Sequence, residues 1–256
     1  MLNDFSMIVH KLPTECSHIN IYPLGDVHIG AKTCNLELLS KWVETVKNDP
    51  LGYVVIVGDI MNMGLKRSKS NIYEEALNPL EQKELCYKIL FQVKDKILAG
   101  CSGNHEQRGV REVGTNPLYD VFCRLQIERL YRENACFIKL NLGKSKDHGQ
   151  RQVSYGIVVT HGSTSNKDER WTYAVDNCDL FINGHTHNAN HSPLGKIRMD
   201  LTTETVKVIG YQQIVVVPFQ TYGGYSLEKK YLPNHIGQFQ KITLDGSRKH
   251  VGYHFQ

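Results

Sequence analysis

With 41% apolar and 22% charged residues over 256 positions, the chain can close one sizeable core, which excludes a disordered or collagen-like polypeptide. The net charge of +4 permits a phosphate-bearing substrate without demanding one; no apolar run approaches the roughly 20 residues of a membrane-spanning helix, and the first residues lack a signal-peptide pattern. Seven cysteines, an odd number without a C-x-x-C pair, indicate neither a disulfide framework nor a zinc ribbon, so the expectation is one soluble, cytoplasmic domain over residues 1–256 with reduced thiols.

The first strand is predicted over residues 19–24 and runs into Gly25-Asp26-Val27-His28. Residues 36–47 then place Leu36, Leu39, Trp42, Val43 and Val46 at helical spacing, closed by Asp49-Pro50. A second strand over 53–57 ends at Gly58-Asp59, followed by a polar loop over 61–73 that carries Lys66, Arg67 and Lys69. Pro79 opens a second helix. A third strand over 97–99 leads to Gly103-Asn104-His105-Glu106, and residues 117–131 read as one more amphipathic helix. The first half is therefore βαβαβ. Beyond it, residues 137–142, 153–160, 205–209, 211–217 and 239–244 are β-branched and aromatic, which predicts extended structure. The predicted fold class is α/β, with two mixed β-sheets packed as a sandwich and flanked by helices.

Five polar clusters follow five of the apolar runs, the fifth of these runs covering residues 179–182. The last two are His161-Gly162 and Gly184-His185-Thr186-His187. In open α/β sheets, sites form at the carboxyl ends of strands, so the five can converge. Asp26 and His28 stand two apart, as do His185 and His187, and each pair can grip one ion. Asp26, His28, Asp59, Asn104, His161, His185 and His187 make seven donors, too many for one ion and enough for two if a carboxylate bridges. Asp59 is the natural bridge. Mixed imidazole and carboxylate donors favour transition metals, with manganese the first choice and iron, zinc, nickel or cobalt also fitting.

The order D-x-H, G-D, G-N-H-E, H-G, G-H-x-H resembles the calcineurin-like metallophosphoesterase superfamily. The resemblance implies that Asp26, His28, Asp59 and His187 hold one metal and that Asp59, Asn104, His161 and His185 hold the other. It also implies attack of an activated hydroxide on phosphorus, with His105 beside the substrate, stabilising charge or protonating the leaving oxygen. Asn62 departs from the pattern, standing where many family phosphatases have a second aspartate. Asp26-Val27-His28-Ile29-Gly30 is similar to the opening motif of the superfamily's DNA-repair nucleases, and residues 70–82 resemble small single-domain enzymes of bacteria and phages.

Substrate contacts are expected from Arg108, Lys66, Arg67 and His191, the last in a turn before Pro193. Residues 163–170 suit a lid, and Trp171 and Tyr173 are candidates to stack on a base. The favoured substrate is a phosphodiester, either nucleotide or nucleic acid. The alternatives are a phosphomonoester, DNA cut together with a partner protein, and a non-catalytic binding module, whose mark would be lost ligands. None of the seven is lost.

Overall fold

The computed structural model describes residues 4–65, 75–146, 149, 151–163, 171–223, 227, 230, 233 and 237–256. Two six-stranded mixed sheets face each other across one continuous core. One sheet contains β2 (His18–Leu24), β3 (Gly52–Ile56), β4 (Ile97–Cys101) and β5 (Tyr131–Arg132) in parallel, with β11 (Gln240–Asp245) antiparallel to β2 and β12 (Val251–Phe255) antiparallel to β11. The other has the order β1 (Ile8–Lys11), β6 (Ala135–Leu142), β7 (Val153–Thr160), β8 (Leu180–Asn183), β10 (Thr205–Val215), β9 (Asn190–Asp200).

Strands β3 and β4, and β2 from Ile21 on, read as near-continuous apolar runs because helices cover the outer face of a parallel sheet while the second sheet covers the inner one. Helix α1 (Leu36–Asn48) buries Leu38, Leu39, Trp42, Val43 and Val46, so its apolar stripe is the predicted one. Asn35 caps it by accepting from the Leu38 amide. Helix α2 (Pro79–Phe91) starts with a capping box, in which Asn78 accepts from Glu81 N–H and Glu81 accepts from Asn78 N–H. Each cap contributes about 1 kcal/mol.

Three expectations change. The helix expected over 117–131 stops as α4 (Pro117–Arg124), because Gln126 turns left-handed and Tyr131 must extend to pair beside β4. The two strands expected at 205–209 and 211–217 are one, since Gly210 stays in the ladder opposite Gly195. His191 lies not in a turn but within β9, opposite Ile214. A short helix, α3 (Glu106–Val113), follows the Asn104 loop directly.

Candidate metal centre

Strands β2, β3, β4, β7 and β8 deliver the five motifs to one edge of the sandwich. Asp26, Asp59, His28 and His161 are buried there. Asp26, His28, Asp59, His185 and His187 all hold positive φ between 50° and 74°. Non-glycine residues in that region cost about 1–3 kcal/mol each and persist where the surroundings over-determine them, often at functional sites. Glycines give the loops room. A Cβ on Gly103 would stand 2.1 Å from Asp59 Oδ1, and one on Gly184 would stand 2.6 Å from Asp26 Oδ2.

Two groups of donors face each other. In the first, His187 Nε2 lies 3.3 Å from Asp26 Oδ1 and 3.2 Å from His28 Nε2. In the second, His161 Nε2 lies 3.2 Å from Asp59 Oδ2 and 3.1 Å from Asn104 Oδ1, and His185 Nδ1 lies 2.8 Å from that same amide oxygen. Asp59 Oδ2 is also 3.9 Å from His28 Nε2, which places it between the groups. The structure thus brings all seven expected donors together. Asp26, His28 and His187 converge within ion-holding range, as do Asp59, His161 and His185, and His28, Asp59 and His105 form a third such set.

The donor set fits cations. His161 Nδ1 lies 3.0 Å from the Val57 carbonyl and His28 Nδ1 3.1 Å from Asn62 Oδ1, an arrangement that turns each Nε2 toward the cluster. Burial alone would lower the pKa of His161, but the Asp59 carboxylate overrules it and raises it to about 10. His187 moves up against the same burial penalty through Asp26. Burial likewise disfavours the charged carboxylates, yet His187 beside Asp26 and His161 beside Asp59 hold both below the usual carboxylate range. The cluster therefore draws protons into itself, and divalent ions can replace that positive charge.

Residues outside the seven hold the loops. Buried Glu106, the first residue of α3, accepts from Asp59 N–H at 2.9 Å and Gly103 N–H at 2.8 Å through one oxygen, and from Met61 N–H at 2.9 Å through the other. It clasps the β3 loop to the β4 loop. Burial raises it to about 7. Glu106 stands in the G-N-H-E motif, but its clasping role is not legible there, because all three of its partners are main-chain amides, two of them distant in sequence. Asn62 is linked in turn to Glu75 at 2.6 Å, and Glu75 to buried Gln82 at 3.0 Å. An amide at position 62 thus suffices to orient His28.

His105 borders the cluster with Nε2 3.7 Å from Asp59 Oδ2. Its Nδ1 donates to the Asn62 carbonyl at 2.7 Å, and its Nε2 accepts from Arg108 Nη2 at 2.9 Å. Burial lowers its pKa to about 4, so the imidazole is neutral with its proton on Nδ1. Arg108 also donates to the Asn62 carbonyl at 3.0 Å, which puts its guanidinium beside the centre. His191 has different company: its Nε2 is 2.7 Å from Gln212 Oε1 and its ring stacks on Tyr253 at 4.5 Å. Trp171 packs on Phe137 and Phe181, and Tyr173 meets Tyr211 edge-on. Lys66, Arg67, Lys69 and the expected lid at 164–170 lie outside the described residues.

The family model for calcineurin-like phosphoesterases matches residues 19–189, which span all five motifs. The chain belongs to that family. This calcineurin-like phosphoesterase is accordingly a hydrolase of phosphoric ester bonds, with donor clusters that can bind metal. No curated protein sequence matches it significantly. Solved structures that it resembles include a metallophosphoesterase from Sphaerobacter thermophilus, 13% identical with a TM-score of 0.49, covering 93% of this chain and 88% of that one. The phosphoesterase YfkN from Bacillus subtilis is 12% identical with a TM-score of 0.44, covering 93% and 90%. The nuclease MPE from Pseudomonas putida is 14% identical with a TM-score of 0.35, covering 91% and 87%.

Proposed function

We propose that this chain is a dinuclear phosphodiesterase acting on a nucleotide or nucleic-acid phosphodiester. The observation that carries the two-metal part is the single carboxylate, Asp59, shared between two converging donor sets. Asp26, His28 and His187 would hold one ion, and Asn104, His161 and His185 the other, with Asp59 between them. Bound there, two divalent ions would supply Lewis-acid activation of water and neutralise charge on the phosphoryl oxygens; manganese is the first candidate.

The chain's own groups do the rest. Arg108 lies close enough to trade its bonds to His105 and the Asn62 carbonyl for two bonds to a phosphate oxygen pair. That exchange frees His105 Nε2. The arriving negative charge also favours the imidazolium, so Nε2, once freed, takes up a proton from solvent and then delivers that proton to the leaving oxygen, returning to the neutral Nδ1–H form. Nδ1 stays anchored on the Asn62 carbonyl and keeps the ring aimed.

The test is hydrolysis of a nitrophenyl phosphodiester beside its monoester by metal-stripped protein reconstituted with Mn²⁺. Diester turnover well above monoester turnover supports the proposal and directs the search to cyclic nucleotides and oligonucleotides. The reverse ranking makes the enzyme a phosphatase and overturns the diester reading. Inertness of the reconstituted protein toward both nitrophenyl esters and oligonucleotides overturns the catalytic reading in favour of a binding module.

A further inference from the structure

Strands β9 and β10 outrun the sandwich. Strand β10 runs parallel to β8, whose carboxyl end leads to His185, so the turn joining β9 to β10 lies at the opposite end from the metal centre. Beyond the facing pair Gly195 and Gly210, five further residue pairs continue the ladder to Asp200 and Thr205, an arm of about 17 Å at ~3.3 Å per residue.

The two faces of this arm differ. Ile197 pairs with Val208 and Met199 with Val206, on the same face as Ile214, which is buried in the core between the sheets. The core face thus continues past the body uncovered. Ile197 is 74% exposed, Met199 71%, Val206 67%, Val208 77%, and Leu201 at the turn 86%. The reverse face carries Lys196, Arg198 and Lys207, and it is partly tied down: Lys196 pairs with Asp176 at 3.2 Å and Arg198 donates to Asn177 at 2.7 Å.

We infer that the arm is a dimerisation element, and that two copies pack these apolar faces against each other across a two-fold axis. Beyond Gly195 and Gly210 the described strand residues on this face are Ile197, Met199, Val206 and Val208, none charged or hydrogen-bonding, so the complement of the arm is an apolar surface of equal extent. A second copy supplies one by symmetry. The five side chains would remove on the order of 600 Å² per copy, close to the roughly 800 Å² per partner of a standard interface. Because β9 ends its sheet, its outer edge can add main-chain hydrogen bonds to the contact. A lipid surface suits the arm less well, since so thin a ribbon would have to immerse the basic reverse face too. With the arm opposite the metal centre, both catalytic edges stay open in such a dimer.

Sedimentation equilibrium of the full chain tests this, with Val208→Lys and Val208→Glu as variants whose circular dichroism and phosphoester hydrolysis are compared with wild type. The expected result is wild type at twice 29.2 kDa, each variant alone at the single-chain mass with unchanged spectrum and activity, and recovery of the double mass when the two variants are mixed. That recovery separates direct contact from misfolding, because a damaged fold gains nothing from an oppositely charged partner. Wild type at the single-chain mass at its highest soluble concentration overturns the inference, as does an undiminished dimer in both variants or failure of the mixture to recover. Flotation of wild type, but not Val208→Lys, with anionic phospholipid vesicles assigns the face to lipid and overturns it too.

Discussion

The catalytic edge and the β9–β10 arm stand at opposite ends of one sheet and obey opposite rules. At the edge, carboxylates and imidazoles are buried, their backbones strained and their free valences directed at one another. In the arm, the backbone is a regular ladder while five large apolar side chains face solvent. Each is a departure from what stability alone would choose. Buried charge requires compensation by partners, and exposed apolar surface requires a cover. A protein's violations of ordinary burial are therefore a guide to its function.

The contrast breaks most sharply at Asp59. Asp59→Asn is expected to lower both metal content and phosphoester turnover, the turnover by more than the ~100-fold typical of residues that only orient ligands. Metal analysis beside kinetics checks it, and full metal occupancy with full activity would remove Asp59 from the centre. His105→Ala should keep its metal yet lose on the order of 10²–10⁴-fold with an alkyl leaving group, and much less with nitrophenolate, which departs without a proton. Equal losses on the two substrates would sink the general-acid role.

Glu106→Gln is the next largest effect. A carboxamide cannot accept on both sides, so at least one of the bonds to Asp59, Gly103 and Met61 is lost, at about 2 kcal/mol of stability. Denaturant unfolding of the metal-free protein reads it. Asn62→Ala, which frees the His28 ring, should weaken metal affinity by roughly 10–100-fold while leaving stability nearer wild type.

Smallest is the dependence on pH. His161 has its pKa raised, so its proton stabilises the metal-free fold fully below pH 6.5, a contribution lost as pH rises through about 10. Metal must displace that proton, so affinity should rise with pH across this window. Calorimetry in buffers of different ionisation enthalpy would show proton release on binding, and none released would mean that His161 is already neutral. Substitutions in the arm, by contrast, should leave metal uptake untouched.

The seven donors were legible in the chain because each motif is local: a short apolar run sets a strand, and the polar residues at its end need no distant information to be recognised as a set. The sandwich was readable for the same reason, through the periodicity of α1, α2 and the apolar strands. Where the fold departs from the local pattern, a long-range pairing decides. Tyr131 left the helix to pair beside β4, and Gly210 stayed in its strand because Gly195 lay opposite.

What the sequence determined by itself was the family, the candidate donor residues and the order in which strands deliver them. Only the tertiary structure decided that Glu106 clasps two loops, that burial keeps His105 neutral while Arg108 and the Asn62 carbonyl fix its Nδ1 tautomer, and that the core face of one sheet runs on into an exposed arm. The physical reason is common to all three. Donor identity is a property of single residues, whereas hydrogen-bond partners, tautomers and the covering of an apolar face depend on which distant segments fold against them.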